Sequence, residues 1–247
     1  MTRALQAELI KLRTTRTFAA LVLSAAALSL LVVVLTTSLS DAWDANDARN
    51  LFTADFTSLF IILLGVMGMA GEWRHRTITS TILAAPDRLR LLAAKMLSYA
   101  VAGMVVSFVV TAALMLVGTL ILSSRGQTTL PAGELADVMW RNLVVAAYLG
   151  AVGVCVGAIV RSQVGVIIGL LVWMLFLESA LTWALGDVVQ FGPLNGAPAG
   201  VINAGFVDDD ASTVELLDAP SAMLVMFGWV AILFAAGGLL LRRRDLT

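Results

Sequence analysis

Cysteine, histidine and charged side chains are scarce in this 247-residue sequence, and each shortage excludes a class of protein. Cys155 is the single cysteine, which excludes an internal disulfide and any site that needs several thiolates. His75 is the single histidine, so a metal site built from several histidines of one chain is excluded as well. Only 13% of the residues are charged, against about 25% in a typical soluble domain. The composition therefore excludes a disordered chain and an ordinary cytosolic enzyme.

The short motifs of common enzymes are also missing from the sequence. It contains no GxxxxGK(S/T) phosphate-binding loop and no HExxH, CxxC or GxSxG motif. An enzyme that hydrolyses nucleotides or esters cannot be assembled from the remaining residues. We therefore expect no catalysis by this chain and no cofactor bound to it.

The sequence does have long apolar runs, which predict an integral membrane protein. Hydrophobic residues make up 60% of the chain, and the mean hydropathy is +0.93. A helix needs roughly 20 apolar residues to cross a bilayer core of about 30 Å. Six stretches meet or approach this length and predict an all-α fold with six transmembrane helices, at about residues 18–39, 52–71, 96–122, 143–160, 164–185 and 222–241. The first run is longer than the apolar core of a cleaved signal peptide, so we expect it to be retained.

Lysine and arginine are unevenly distributed between the predicted loops. Of the 16 such residues, all but Arg49, Arg125 and Arg141 lie in the N-terminal segment, after the second span, between the fourth and fifth spans, or after the sixth. Cytoplasmic loops carry an excess of cations. This pattern predicts a multi-pass protein of the cell membrane with both termini in the cytoplasm, and an even number of spans agrees with it.

Residues 2–16 are predicted to form an interfacial helix on the cytoplasmic leaflet. Three leucines fall on one face of such a helix: Leu5, Leu9 and Leu12. Lys11 and Arg13 flank this face, where they can contact anionic headgroups. The alternative is a basic flank that only sets the topology.

Residues 72–95 are predicted to form a cytoplasmic loop that carries a short amphipathic helix. Ile78 and Ile82 are four residues apart, and Pro86 ends the pattern. The cations of this loop would suffice to set topology, but its apolar period and the tryptophan beside a glutamate indicate a docking surface for a cytoplasmic partner. The residues expected at that surface are Glu72, Trp73, Arg74, His75, Arg76, Thr77 and Ile78.

The outer segment 186–220 is predicted to form a re-entrant or interfacial helical hairpin followed by a solvated loop. It contains no lysine or arginine, and Pro193 and Pro198 interrupt its apolar half, which is too short to span. Irregular backbone at membrane depth is tolerated only where protein or water covers it. The hairpin is therefore expected to pack against the spans.

Glu178 is the only acidic residue well inside a predicted span. A charge in hydrocarbon costs at least about 2.5–3.5 kcal/mol, so this side chain should face protein or an aqueous cavity, or be protonated. Two interpretations stay open. Glu178 either belongs to a substrate pathway or gate, or it makes a structural hydrogen bond to a neighbouring helix or to the hairpin backbone.

Small residues recur within the spans at spacings that permit close helix approach. Gly153 and Gly157 form one GxxxG motif, and Gly165 and Gly169 form another. Gly65, Gly68 and Gly71 repeat every three residues. These glycines are expected to pack within the chain or, alternatively, against a second copy.

Together these segments resemble the permease subunits of ABC transporters of the type 2 exporter class. Residues 7–13 resemble the interfacial N-terminal helix of that family, and residues 72–78 with Pro86 resemble its first cytoplasmic loop, which carries the coupling helix. Leu177-Glu178 before a Pro/Gly-rich hairpin resembles its extracellular gate region, and residues 236–247 resemble its usual C-terminal end. One departure is Arg76, which stands where the family often has glycine.

The resemblance implies one subunit of a transporter that exports an amphipathic substrate, such as a drug, an antibiotic peptide, a lipid or a lipid-linked glycan. Two permease subunits, either two copies of this chain or this chain and a related one, would pair in the bilayer. Two ATP-binding subunits, which hold ATP and Mg, would dock beneath the loops. Glu72, Arg74 and Arg76 would contact them, and the short second loop around Arg161 would add a contact. No nucleic-acid partner is expected.

Two other functions compete with this interpretation. An ion-coupled secondary carrier would use Glu178, although such sites usually lie near the membrane midplane. A non-transporting membrane immunity or scaffold protein is the third possibility. A neighbouring gene for an ATP-binding subunit would favour the exporter, whereas proton-dependent flux abolished by Glu178→Gln would favour the carrier.

Overall fold

The computed structural model describes residues 7–8, 10–12, 14–39, 45–53, 56–75, 77, 87–160, 162–202 and 216–243. Residues 7–8, 10–12 and 14 are helical and precede the first long helix. The helices that follow are α1 (Arg16–Leu39), α2 (Ala45–Thr53), α3 (Thr57–Arg74), α4 (Arg88–Ser124), α5 (Ala132–Ile159), α6 (Gln163–Val172), α7 (Glu178–Leu185), α8 (Gly196–Ile202) and α9 (Ala219–Arg243). A π-helical turn (Trp173–Leu177) joins α6 to α7, and a 3-10 turn (Gly186–Phe191) precedes α8. No strand occurs in these ranges, so the all-α prediction is confirmed for them.

Five helices within the described ranges are long and apolar enough to cross a membrane: Arg16–Leu39, Asp47–Arg74, Arg88–Ser124, Ala132–Ile159 and Ala219–Arg243. They correspond to predicted spans 1, 2, 3, 4 and 6, and they confirm a multi-pass membrane protein. The predicted fifth span corresponds to α6, the π turn and α7. Its apolar helix, Gln163–Leu177, is shorter than the other five, so the count of six spans stays a prediction.

Several helices extend beyond the predicted spans because hydropathy marks the apolar part of a helix and not its ends. Helix α4 begins at Arg88, whereas the predicted span began at Met96. The Asp87 carboxylate starts this helix by accepting hydrogen bonds from the backbone N–H groups of Leu89 and Arg90, both at 3.2 Å. The last residues of the predicted loop 72–95 therefore belong to α4.

The predicted second span corresponds to the end of α2, which is described up to Thr53, and to α3, which is described from Thr57; residues 54–55 lie outside the described ranges. The backbone N–H of Phe56, just before α3, donates to the Ser29 hydroxyl of α1 at 3.1 Å. Asn142 of α5 donates to the carbonyl of Phe52 at 3.0 Å. These bonds tie the two helices to α1 and α5 through their backbone groups.

Glycines bring the backbones of α3 and α5 into direct contact. A Cβ atom on Gly153 would lie 2.4 Å from the Ile62 carbonyl oxygen, and one on Gly65 would lie 2.6 Å from the Gly150 carbonyl oxygen. Such contacts are possible only without side chains. By contrast, a Cβ on Gly169 would meet no atom within 4 Å in the described structure. The first GxxxG motif therefore packs within the chain, whereas the second does not.

Candidate functional site

The exposed residues at the end of α3 form the surface where a cytoplasmic partner was predicted to dock. Arg74, His75 and Thr77 are exposed, and Trp73 is half-buried. The Arg74 Nη1 atom donates to the Gln163 Oε1 atom at 3.5 Å. The structure thus brings the end of α3 next to the start of α6, the two places where sequence analysis predicted partner contacts. We call Arg74, His75 and Thr77 the docking surface; Gln163, which contacts Arg74, is itself buried.

Several predicted site residues lie outside the described ranges: Leu5, Leu9, Arg13, Arg76, Ile78 and Arg161. Predictions about them stay predictions. Among the described helical residues near the N-terminus, Leu12 is buried in an apolar cluster that includes Leu64, Leu91 and Leu92. Ile10 is 64% exposed. This segment therefore has one face against the spans and one face away from them.

Glu72 differs from the other predicted partner contacts because it faces the interior. Its side chain is 3% exposed. Its Oε1 atom accepts hydrogen bonds from Lys11 Nζ at 2.7 Å and from Lys95 Nζ at 2.8 Å. In this structure the carboxylate contacts the chain's own lysines and not the docking surface. The prediction missed this because sequence position alone placed Glu72 at the start of the loop.

Lys95 is the centre of a buried ionic cluster that sequence analysis did not find. Its side chain is fully buried, and its Nζ atom lies 2.8 Å from both Glu8 Oε1 and Glu72 Oε1. Lys95 is one of the cations of the predicted cytoplasmic loop 72–95, and its burial was not predicted; the orientation of that loop stays a prediction. A useful signal was its position within the apolar run Leu91-Leu-Ala-Ala-Lys-Met96, since a lysine is rarely buried without a partner.

Lys11 completes the cluster, which thus contains two ammonium groups and two carboxylates. Its side chain is 51% exposed. Burial lowers the pKa of Lys11, but its hydrogen bond to Glu72 and the charges of Glu72 and Glu8 raise it more, so the pKa lies above its ordinary value. Lys11 therefore carries its charge at neutral pH. Its predicted contact with lipid headgroups stays a prediction, and in this structure the ammonium contacts Glu72.

A crevice of about 300 Å³ opens beside this cluster. Its walls are largely apolar, and Lys11, Glu72 and His75 contribute polar groups. Within the described ranges, no group of three or more histidine, cysteine, aspartate or glutamate side chains is arranged to hold a metal ion. The crevice and the cluster are thus built from ion pairs and apolar contacts.

Residues 186–202 are the described part of the predicted outer hairpin, and we call them the hairpin segment; Glu178 binds their backbone. Its side chain is 3% exposed. The Oε1 atom accepts from the Trp173 indole N–H and from the Leu194 backbone N–H, both at 2.9 Å, and the Oε2 atom accepts from the Asn195 backbone N–H at 2.5 Å. Asn195 in turn donates through Nδ2 to the Met174 carbonyl in the π turn, at 2.7 Å. These contacts correspond to the structural interpretation of Glu178, and its role as a gate stays a prediction.

Side chains from two further helices anchor the same hairpin. The Tyr148 hydroxyl of α5 donates to the Pro193 carbonyl at 2.7 Å, and Arg141 of α5 donates to the Val201 carbonyl at 2.8 Å. The Trp229 indole of α9 donates to the Phe191 carbonyl at 2.8 Å. Side chains of α5 and α9 therefore hold backbone carbonyls between residues 191 and 201 by hydrogen bonds.

A second cavity, of about 400 Å³, lies at the outer end of the helices. Polar side chains of α2, α3 and the hairpin line it together with apolar side chains of α5 and the π turn: Asn50, Thr53, Ser58, Asn195, Leu149 and Met174. The mixture of amides, hydroxyls and apolar groups suits a molecule that has both polar and apolar parts.

Comparison with known protein families gives one match. A family model described as "ABC-2 family transporter protein" matches residues 4–178, which is well over half of the chain. The matched range begins in the N-terminal segment and ends at Glu178, so it includes the ionic cluster and the docking surface. A search of curated proteins found no match.

Proposed function

Because the chain belongs to the ABC-2 family of transporter proteins, we propose that it is the membrane-spanning subunit of an ATP-driven exporter. A separate ATP-binding subunit hydrolyses ATP with Mg, and this chain provides the path of an amphipathic substrate out of the cell. Both termini and the docking surface then lie in the cytoplasm. The protein itself performs no chemistry on the substrate.

The proposed topology includes six spans. The run from Gln163 to Leu185 is helical throughout, through α6, the π turn and α7, and at 1.5 Å per residue it extends roughly 34 Å, enough to cross a bilayer core. Val164, Ile168 and Val172 are exposed at spacings of four residues, which gives α6 an apolar face for lipid or for a second subunit. A sixth span places α9 so that its C-terminal end, with Arg242 and Arg243, is also cytoplasmic.

The docking surface is the observation that supports an ATP-binding partner. Arg74 and His75 are exposed at the end of α3, and Arg74 contacts Gln163 at the start of α6. The exposed Arg74 at the end of α3 is thus held by the buried Gln163 side chain at the start of α6, so the two predicted contact regions lie together at the predicted cytoplasmic end. A cation at the rim of such a surface favours an acidic patch on the partner and steers its association.

The outer cavity supports an amphipathic substrate. Its lining combines the side chains of Asn50, Thr53 and Ser58 with apolar residues. A second permease subunit, either another copy of this chain or a related chain, would complete the path. The substrate classes that fit this mixture are drugs, antibiotic peptides, lipids and lipid-linked glycans.

The proposal is tested by purifying the chain in nanodiscs with an ATP-binding subunit encoded in its genetic neighbourhood. We expect ATP hydrolysis only in the complex. Arg74→Glu should weaken binding of the ATP-binding subunit at least tenfold, which corresponds to about 1.4 kcal/mol. Arg243→Glu is the matched control, since it makes the same charge change at another exposed arginine of the predicted cytoplasmic side.

Two results would contradict the proposal. If Arg74→Glu and Arg243→Glu weakened binding equally, the effect would come from overall charge and the docking surface would have no special role. If no neighbouring ATP-binding subunit bound the chain, and flux depended instead on a proton gradient and was lost in Glu178→Gln, the chain would be an ion-coupled carrier.

A further inference from the structure

We propose that Glu8, Glu72 and Lys95 form a buried clamp that holds the two ends of the loop 72–95 to each other and to the N-terminal helical segment. These elements then move as one body when a partner pushes on the docking surface. The proposal rests on the proposed function for the partner that supplies the motion, but the clamp itself is a property of this chain. Glu8, Glu72 and Lys95 are positioning residues in this role.

The clamp is defined by where its members lie along the chain. Glu72, the first residue of the loop 72–95, lies in the last turn of α3. Lys95, its last residue, lies in the second turn of α4. One ammonium group joins the two ends, because Lys95 Nζ lies 2.8 Å from Glu72 Oε1. The same ammonium lies 2.8 Å from Glu8 Oε1, a residue separated from Lys95 by 87 positions. Three separate elements therefore meet at one atom.

Burial makes this junction stiff. Lys95 is fully buried and Glu72 is 3% exposed, so neither water nor salt can replace the partner of either group at low cost. Moving α3, α4 and the N-terminal segment apart would leave a buried charge without its partner, which is strongly unfavourable. The three elements are thus constrained to shift together or not at all.

Stability alone does not explain an ionic cluster at this place. Well-packed apolar residues are often as stabilising as a buried ion pair, or more so. In the part of the chain that the structure describes, Glu8 Oε2 and Glu72 Oε2 are buried without a hydrogen-bond partner. The apolar cluster at this end of the helices includes Leu12, Leu64, Leu91 and Leu92 together with Met69 and Tyr99. The ionic groups add hydrogen bonds to this core. Because hydrogen bonds have preferred distances and angles, they fix the positions of the elements relative to one another.

A further contact ties the base of the loop to the last span. Arg88, in the first turn of α4, donates to the carbonyl of Leu241 near the end of α9. Carbonyls at the end of a helix lack partners within the helix and favour a cation. The start of α4 is thereby held from two sides, by the clamp and by α9.

The test uses a triple variant, Glu8→Gln with Glu72→Gln and Lys95→Met. It removes all three clamp charges together, so no buried charge is left without a partner, and Lys11 is exposed enough to be solvated. Lys95→Met alone would leave the buried Glu8 carboxylate without its ammonium partner and Glu72 with Lys11 only, and it serves only for comparison of melting temperatures. Lys11→Gln is the matched control, since it removes a cation from the same cluster and leaves the contacts of Lys95 in place.

The first measurement is made on the chain alone in nanodiscs. Spin labels at Ile10→Cys and Thr77→Cys, both exposed positions, report the distance between the N-terminal segment and the docking surface in a Cys155→Ala background. We expect a narrow distance distribution with the clamp intact and in the Lys11→Gln control, and one at least twice as broad in the triple variant. An unchanged distribution in a folded triple variant would overturn the clamp, whatever partner the chain has.

The second measurement uses the complex with the ATP-binding subunit, before and after addition of ATP and vanadate. A reference label at Ser124→Cys, exposed at the outer end of α4, gives its distances to positions 10 and 77. We expect both distances to change together with the clamp intact and only the distance to position 77 to change in the triple variant. If the distances to positions 10 and 77 still change together in the triple variant, the proposed transmission is wrong. If the unsubstituted chain binds no ATP-binding subunit, the proposed function and the transmission fail together, and the first measurement still decides the clamp.

Discussion

Gly153→Ala should destabilise the protein because α3 and α5 touch backbone to backbone at this position. The added Cβ would lie 2.4 Å from the Ile62 carbonyl oxygen, 3.0 Å from the Val66 nitrogen and 3.1 Å from the Gly65 Cα atom. None of these three neighbours is the end of a flexible side chain. The two helices must therefore separate by about 1 Å to restore ordinary contact distances.

The magnitude follows from the contacts that this separation weakens. Each optimal pair of heavy atoms contributes about 0.1–0.2 kcal/mol, and a gap of up to 1 Å loses as much as half of it. Over roughly 20 atom pairs the loss is about 1–2 kcal/mol, within the range of about 1–3 kcal/mol that overpacking costs. The higher helix propensity of alanine offsets up to about 1 kcal/mol of this loss. A second Gly→Ala substitution in a helix gains the same propensity, so relative to such a control we expect Gly153→Ala to lose about 1–2 kcal/mol.

The assay is thermal unfolding in one detergent, with Gly169→Ala as the matched control. The control makes the same substitution in another GxxxG motif, where the new Cβ meets no atom within 4 Å. At about 2–4 °C per kcal/mol for a chain of this size, Gly153→Ala should melt about 2–8 °C below Gly169→Ala, which should itself melt at or slightly above the parent protein. Equal melting temperatures for the two variants would refute the close packing of α3 and α5.

Two other substitutions test contacts at opposite ends of the helices. Glu178→Gln replaces a carboxylate that accepts three hydrogen bonds with an amide that has a single acceptor oxygen, and it should cost about 1–3 kcal/mol; a lower melting temperature and a changed Trp173 fluorescence spectrum would show this, and unchanged values of both would speak against the hairpin contacts. Asp87→Ala removes the carboxylate that caps α4 and should cost about 1 kcal/mol. Hydrogen exchange of the first backbone amides of α4 should become faster in that variant, while protection equal to that of the parent protein would show that the cap contributes nothing.

Several features of the fold could be read from the sequence because they depend on local composition. The apolar runs predicted the all-α membrane protein, and the family resemblance carried by residues 7–13, 72–78 and Glu178 agrees with the family match over residues 4–178. Exposed Arg74 and His75 lie at the end of α3, where the polarity pattern predicted a surface. The helix ends were less accurate, since a cap such as Asp87 leaves no mark in a hydropathy profile.

The charged residues of the predicted first cytoplasmic loop show what sequence analysis could not predict, namely which charges are buried. Glu72, Arg74 and Lys95 look alike in a count of charges, yet Arg74 is exposed while Glu72 and Lys95 are buried together. The apolar run around Lys95 indicates that it is buried, but no local pattern identifies its partners, because one of them, Glu8, lies 87 positions away in the sequence. A pattern based on spacing detects faces of one helix and not contacts between separate elements.

The sequence by itself determined that this is a membrane protein and that its secondary structure is helical, because both follow from the summed hydrophobicity of neighbouring residues. Only the tertiary structure decided which charges are paired inside and which remain available to a partner. It also decided that Glu178 holds the hairpin through the backbone of Leu194 and Asn195. The physical reason is that the free energy of a charged side chain in an apolar environment depends on the atoms within a few ångströms of it, and folding alone brings those atoms together.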